Sequence, residues 1–304
     1  VKRSAFTMIE LIMTIVIMGI LAAGAYVSVS KLFYKSSKTK AISDLSLEST
    51  LVSTQITGLL KNRIPSTVIG YDSANANFES IYTITSSYPI LEWIGVDYDS
   101  LKRGDYSGFV DFDKCDKSQN LIYSPSSDVN ATNRALIFAG AFDEGSIVYD
   151  EADFNASFGW HSNSAKKIFD LNQTTSSGKN IYLSTTPEVI YEKYSLVKSA
   201  FAIARYNDVK SDAVCISDLN LSNKLGEKTL FLFYDFKPWK GESFCADPNA
   251  LQQSGKVTIL SNEASGFEVD FVNGNLQFNL SLSKIVRKPG KDLNITISKQ
   301  KVVF

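Results

Sequence analysis

One imidazole, one carboxylate inside an apolar run, six Asn-x-Ser/Thr triplets and three thiols are the side chains of this 304-residue sequence whose types and spacing could do chemistry. The imidazole is His161, in Gly159-Trp160-His161-Ser162. No second histidine or cysteine stands at ligand spacing, so a surface or packing role is expected over metal or general-base work. Two acidic clusters have the oxygen chemistry of a Ca²⁺ site: Asp111, Asp113 and Asp116 with Asn120, and Asp143, Glu144, Asp150, Glu151 and Asp153. Neither completes a loop motif, so solvated turn acids are expected, with Ca²⁺ the one cofactor in play and no metal ligand assigned. Gly-x-Ser-x-Gly, P-loop, His-Glu-x-x-His and dinucleotide fingerprints are absent from the sequence. Arg103-Gly104-Asp105 is a chance-level tripeptide, and Phe236-Lys-Pro-Trp-Lys-Gly-Glu242 reads as a packed aromatic turn before it reads as a contact loop. The expectation is a protein that is not an enzyme.

The Asn-x-Ser/Thr triplets begin at Asn130, Asn155, Asn172, Asn220, Asn279 and Asn294, and all but Asn279 have an aspartate two residues earlier. That pattern is similar to the extended acidic acceptor of bacterial oligosaccharyltransferases, which act on the periplasmic side. Asn130, Asn155, Asn172, Asn220 and Asn294 are therefore glycosylation candidates, with at least two expected to be used. The plainer explanation is turn chemistry, because Asp and Asn both bond locally to backbone.

Between Phe6 and Val29, 18 of 24 residues are apolar, Glu10 is the only charge, and all three methionines lie there. As a helix at about 1.5 Å per residue, the run spans the roughly 30 Å hydrocarbon core of a membrane. The whole chain is of average globular composition, with 44% hydrophobic residues and 31 Lys+Arg against 32 Asp+Glu. A net charge of -1 gives no signal for nucleic-acid binding, which needs an excess of cations. Three kinds of segment share these features. A cleavable secretory signal would use Lys2 and Arg3, the apolar centre and Ala23-Gly24-Ala25. A single-span anchor would gain nothing from Glu10, since a centrally placed carboxylate costs about 2.5–3.5 kcal/mol on insertion scales. A third kind accounts for both the basic start and the carboxylate.

Lys2-Arg3-Ser4-Ala5-Phe6-Thr7-Met8-Ile9-Glu10-Leu11 resembles the leader and mature start of type IV pilins and of the pseudopilins of type II secretion. The resemblance covers the first 30 to 60 residues. It implies that a prepilin peptidase cuts between Ala5 and Phe6, that the new Phe6 amine is N-methylated, and that Glu10 pairs with the Phe6 amine of the next subunit. Ala5 stands where the family's usual residue is glycine. With Val1 first, the leader is expected to be incomplete or to use an alternative start. Loss of Lys2 and Arg3 takes the formal charge from -1 to about -3. An opposite charge on a neighbouring helix is the natural partner of a carboxylate in a low-dielectric bundle. The implied partners are other pilin-like subunits, the prepilin peptidase, an inner-membrane assembly platform, and the membrane itself through residues 6–29.

The expected fold class is α+β, with a long N-terminal helix, transmembrane in its first half and amphipathic in its second, packed on a mainly antiparallel β head. The helix is expected over about 7–63, stopped by Pro65, with Ile42, Leu45, Val52, Ile56 and Leu59 as one apolar stripe. The divisions are leader 1–5, membrane and filament-core helix 6–29, amphipathic extension 30–64 and periplasmic β-rich head 65–304. Strands are expected at 81–85, 135–139, 146–149, 181–184, 196–205, 229–236, 256–260, 267–272, 275–282 and 293–297. Asn273-Gly274 is a two-residue hairpin signal. In an oxidising periplasm Cys215 and Cys245 are the preferred disulfide, leaving Cys115 over, with other pairings and free thiols open.

The implied function is that of a minor or tip subunit of a pilus-like filament. It would be held in the inner membrane of a Gram-negative-type bacterium before joining a periplasmic pseudopilus or a surface pilus. The alternative is a membrane-anchored periplasmic adhesin or enzyme that borrows the leader. Lys31, Lys35, Lys38 and Lys40 outnumber Lys2 and Arg3, so a simple positive-inside count would put the C-terminus in the cytoplasm. The leader motif and the glycosylation pattern overrule it.

Overall fold

A computed structural model describes residues 7–140, 151–219, 225–272, 275–287 and 292–303. The chain forms two compact units, Val1–Glu48 with Ser283–Ile297, and Ser49–Leu282 with Ser298–Phe304. Helix α1 runs from Met8 to Leu60. No proline interrupts it; at its end Ile64 is held extended (φ -88°, ψ 113°) before Pro65, as the proline ring requires of its predecessor.

The buried positions of α1 are Ala41, Leu45, Ser49, Val52, Ser53, Ile56 and Leu60. This corrects the expected stripe: Ile42 is 41% exposed and Leu59 only half-buried. The packed face uses small residues, Ala41, Ser49 and Ser53, so apolar identity alone rotates the stripe off its true line.

The remaining elements are β1 (Ile69–Asp72), β2 (Asn77–Ser80), β3 (Ile90–Val96), α2 (Tyr98–Arg103), β4 (Leu121–Tyr123), β5 (Ala135–Ala139), α3 (Glu151–Asn155) and β6 (Ile168–Asp170). They continue with β7 (Asn180–Tyr182), β8 (Lys193–Arg205), α4 (Val214–Ser217), β9 (Leu230–Phe236), β10 (Ser243–Phe244), β11 (Gln253–Ser254) and β12 (Lys256–Ser261). The last three are β13 (Ala264–Val272), β14 (Asn275–Val286) and β15 (Leu293–Val303). The main sheet has the order β12-β9-β8-β3-β1-β2, all antiparallel, with β5 and β6 attached through β8. Strand β8 organises it. One edge pairs with β3, and Val197 faces both Val96 and Ala135, so β5 lies on the opposite edge, end to end with β9. In a smaller sheet, β13-β14-β15, Val269 pairs with Tyr88, which lies two residues before β3 and whose N–H and C=O bond to it at 3.0 and 2.9 Å.

Alternation along β5 and β8 builds two cores. Ala135, Ile137 and Val197 face one, with Phe154, Phe158, Trp160, Phe231 and Phe233; Leu136, Phe138, Tyr194 and Leu196 face the other, with Ile122, Phe169 and Ile181. Gly95 keeps β3 close to β8, because a Cβ there would sit 2.7 Å from the Phe201 ring.

Residues 81–85 are a turn, not a strand. The Thr83 and Ile84 N–H groups donate to Ser80 O at 2.9 and 3.1 Å, and the Ser80 hydroxyl accepts from Tyr82 N–H at 3.3 Å. Local hydroxyl bonding outcompetes a β-branched pattern here. The 146–149 strand and the Asn273-Gly274 turn itself lie outside the described residues, although Val272 and Asn275 pair as a hairpin there requires.

Candidate functional site

The N-terminal turn of α1 is built by Thr7 and Glu10. The Thr7 backbone N–H and hydroxyl donate to Glu10 Oε2 at 3.2 and 3.0 Å, and the Glu10 N–H donates to Thr7 Oγ1 at a longer 3.4 Å. This reciprocal capping box satisfies donors that a helix start leaves open, and it sets a negative charge at the positive end of the helix dipole. Downstream, the Thr14 hydroxyl donates to Leu11 O (2.8 Å) and that of Ser28 to Gly24 O (2.9 Å). The hydroxyls of Thr7, Thr14 and Ser28 are thus satisfied within the helix, as a segment placed away from water demands.

The apolar side chains of the same segment are not satisfied. From Met8 (82% exposed) through Met18 (72%) to Phe33 (69%) large hydrophobic residues stand exposed on all sides of the helix. An unbroken apolar surface of this kind needs lipid or other helices around it. This first half of α1 is long and apolar enough to cross a membrane. Ala5 and Phe6 lie outside the described residues.

His161 is neither exposed nor simply packed. Its Nε2 lies 2.9 Å from Glu92 Oε1 and its Nδ1 3.2 Å from Asp247 Oδ2, with both carboxylates fully buried. Its ring stacks on Tyr71 at 3.8 Å and meets Phe78 at 5.3 Å. The Ser243 hydroxyl (2.6 Å) and the Tyr71 hydroxyl (3.0 Å) also donate to Asp247. Burial opposes protonation of His161, but the charge of Glu92 and the bonds to both carboxylates outweigh it and push its pKa up to about 9. Burial raises Glu92 against the pull of His161; burial also works to raise Asp247, yet the bonds from His161 and Ser243 prevail and lower it. With both ring nitrogens engaged, the imidazole has no free position for proton transfer to a substrate. The residue is held in a left-handed conformation (φ 49°) just after Gly159 (φ +78°), where a Cβ would meet Pro238 O at 2.6 Å. Neither Glu92 nor Asp247 lies in a motif that marks it as a partner of His161. The available signal was Glu92 as the single charge in Ile90-Leu-Glu-Trp-Ile-Gly-Val96.

The other singled-out residues are dispersed. Asp111 pairs with Lys114 at 2.9 Å, Asp116 accepts from Ser118 N–H at 2.9 Å, and Asn120 accepts from the Thr186 hydroxyl at 2.7 Å. Asp153 lies 3.8 Å from Lys167, while Asp143, Glu144, Asp150 and the Glu151 side chain fall outside the described residues. Among the described residues no group of three His, Cys, Asp or Glu side chains is arranged to hold a metal ion. In the 236–242 turn, Trp239 Nε1 donates to Asp170 at 2.9 Å and Lys240 lies 3.3 Å from the same carboxylate. Arg103 and Asp105 pair at 2.6 Å around Gly104, which ends α2. Cys215 and Cys245 form a disulfide with Cα atoms 6.2 Å apart, and Cys115 is a free thiol. Asn130, Asn172 and Asn294 are exposed and Asn279 is half-buried; Asn155 is half-buried with Ser157 buried beside it, and Asn220 lies outside the described residues.

Residues 1–26 match the prokaryotic N-terminal methylation motif, the signature of pilins and pseudopilins. Beyond that motif no curated protein and no solved structure matches the chain. Motif and apolar helix together give the chain a pilin-type N-terminus of the kind that is processed, anchored in a membrane and assembled.

Proposed function

We propose that the chain is a non-enzymatic structural subunit of a pilus-like filament, a minor or tip pilin or pseudopilin. Residues 1–5 are the leader, 6–29 the membrane and filament-core segment, 30–64 its amphipathic extension and 65–304 a periplasmic head. The prepilin peptidase cuts between Ala5 and Phe6, Phe6 is N-methylated, and an inner-membrane platform brings Glu10 to the Phe6 amine of a neighbouring pilin-like subunit. The observation that carries this reading is the first half of α1, exposed on every face, with the hydroxyls of Thr7, Thr14 and Ser28 satisfied within the helix and one carboxylate at its start. Such a helix is finished as a helix and unfinished as a surface.

The Cys215–Cys245 disulfide supports an oxidising compartment for the head. Asn130, Asn172 and Asn294 have the exposure that glycosylation needs, whereas buried Ser157 disfavours Asn155. Intact-mass measurement of the native protein is expected to show at least two added glycans, and an unmodified mass removes that part. The main reading is tested by N-terminal sequencing of the membrane-extracted protein. A methyl-Phe6 start is expected, and an intact leader or a start at Tyr26 overturns it.

A further inference from the structure

The cations that follow the apolar segment are left without a role by filament assembly. Lys31, Lys35 and Lys38 fall at i, i+4 and i+7 on one face of α1, Lys40 stands on the opposite face, and all four are exposed. The fold adds Lys284 and exposed Arg287, from the far end of the sequence, to the same compact unit. The described residues of segments 31–48 and 283–297 carry six Lys and Arg against three Asp and Glu, in a chain of net charge -1. Tyr26 (74% exposed), Phe33, Tyr34, Ser30, Ser37 and Arg287 line an open groove of about 360 Å³ within that unit.

Met8 to Ser30 extends about 34 Å at 1.5 Å per residue, slightly more than a hydrocarbon core of about 30 Å. The lysines and aromatic rings therefore fall at the headgroup level, where aromatic side chains settle and long cationic ones snorkel. We propose that this collar binds anionic phospholipid headgroups of the leaflet from which α1 emerges, an inference that rests on the membrane-spanning reading above. The groove fits one headgroup: Arg287 presents a guanidinium fork to the phosphodiester, Ser30 and Ser37 offer hydroxyls, and Tyr26 and Phe33 cover the glycerol and upper acyl carbons. A second copy of the chain is the poorer occupant, because its own collar carries the same excess of positive charge. The collar also gives a purpose to cations that run against the usual charge bias of a translocated segment.

The test uses the full chain in phosphatidylcholine vesicles containing trace spin-labelled phosphatidylglycerol or, in parallel, spin-labelled phosphatidylcholine. Electron paramagnetic resonance reads the motionally restricted fraction of each. Phosphatidylglycerol is expected to associate about fivefold more strongly. Replacing Lys31, Lys35, Lys38 and Arg287 together by glutamine should abolish that preference, while the Lys→Arg version of the three lysines keeps it. Equal restriction of the two lipids, or a preference that survives the glutamine substitutions, overturns the proposal. Restriction of neither lipid removes the membrane-spanning reading, and the collar with it, so the two failures are distinguishable.

Discussion

Glu10 and Glu92 are both carboxylates in apolar sequence, and the molecule treats them in opposite ways. Glu92 is wholly buried, and its Oε1 meets His161 at 2.9 Å inside a network that also holds Asp247, Tyr71 and Ser243. Glu10 is exposed, bonded among the described residues to the first turn of its own helix, and followed by a run of exposed apolar side chains. The His161 network pairs its charges internally; the apolar first stretch of α1, Met8 to Val29, has one charge still to place. A region that answers its own electrostatics is a domain, and a region that does not is half of an interface.

The comparison breaks most sharply at Glu10. Under the proposed function, Glu10→Val leaves the neighbouring Phe6 amine unpaired in a low-dielectric bundle, and removal of one partner from a buried pair costs about 3–5 kcal/mol. Filament recovered by shearing should fall about 100-fold or more, while processed subunit accumulates in the membrane. Normal yields of sheared filament would show that Glu10 acts only as a cap. His161→Ala applies the same operation to the head, leaving two buried carboxylates without their cation. Thermal unfolding of the detergent-solubilised full chain should show a loss of about 3–5 kcal/mol, with N-terminal processing unchanged.

The disulfide comes next. Cys215 and Cys245 are separated by 30 residues, so reducing or replacing the pair by alanine should cost about 3–4 kcal/mol through the freed chain entropy of the unfolded state. The matching measurement is the unfolding midpoint with and without reductant. An unchanged midpoint would mean the head does not depend on it.

Titration sharpens the picture at the head. His161 is raised from its ordinary 6.5 to about 9, so its contribution is complete below 6.5 and disappears as pH rises to about 9. Glu92, raised above 4.5, acts in the same sense, since folding then takes up a proton. Asp247, lowered from 3.8, acts in the opposite sense and loses its contribution as pH falls through its depressed value. Stability should therefore decline by about 3 kcal/mol between pH 6.5 and 9 through His161, at 1.36 kcal/mol per pKa unit. His161→Gln should flatten that decline, and the imidazole resonances should titrate near 9.

What could be read from the sequence follows the same division. The first half of α1 was legible because its signal is local: an apolar run, a leader motif and one carboxylate within the first 29 residues. Strands β5, β8, β9 and β12 to β15 were legible where they alternate or carry β-branched runs. Strand β3 was missed because it is buried on both faces and gives no alternation, and β1, β2, β4 and β6 because they are three or four residues long. The His161 network escaped because its partners are 69 and 86 residues away in sequence. Only the antiparallel order of the sheet and the loop after β10 bring them together.

The smallest expected effect separates the two roles of Glu10. Thr7→Ala removes the hydroxyl that donates to Glu10 and accepts from its N–H, a capping loss of about 1 kcal/mol, which should speed hydrogen exchange of the first-turn amides about fivefold. Thr7→Ser keeps the cap and should leave exchange unchanged. In the filament the substitution releases a carboxylate oxygen that the cap had occupied. If Glu10 serves the neighbouring amine, assembly should therefore change far less in Thr7→Ala than in Glu10→Val. Equal assembly defects in the two variants would mean that the capped helix start, and not the carboxylate charge, is what neighbouring subunits require.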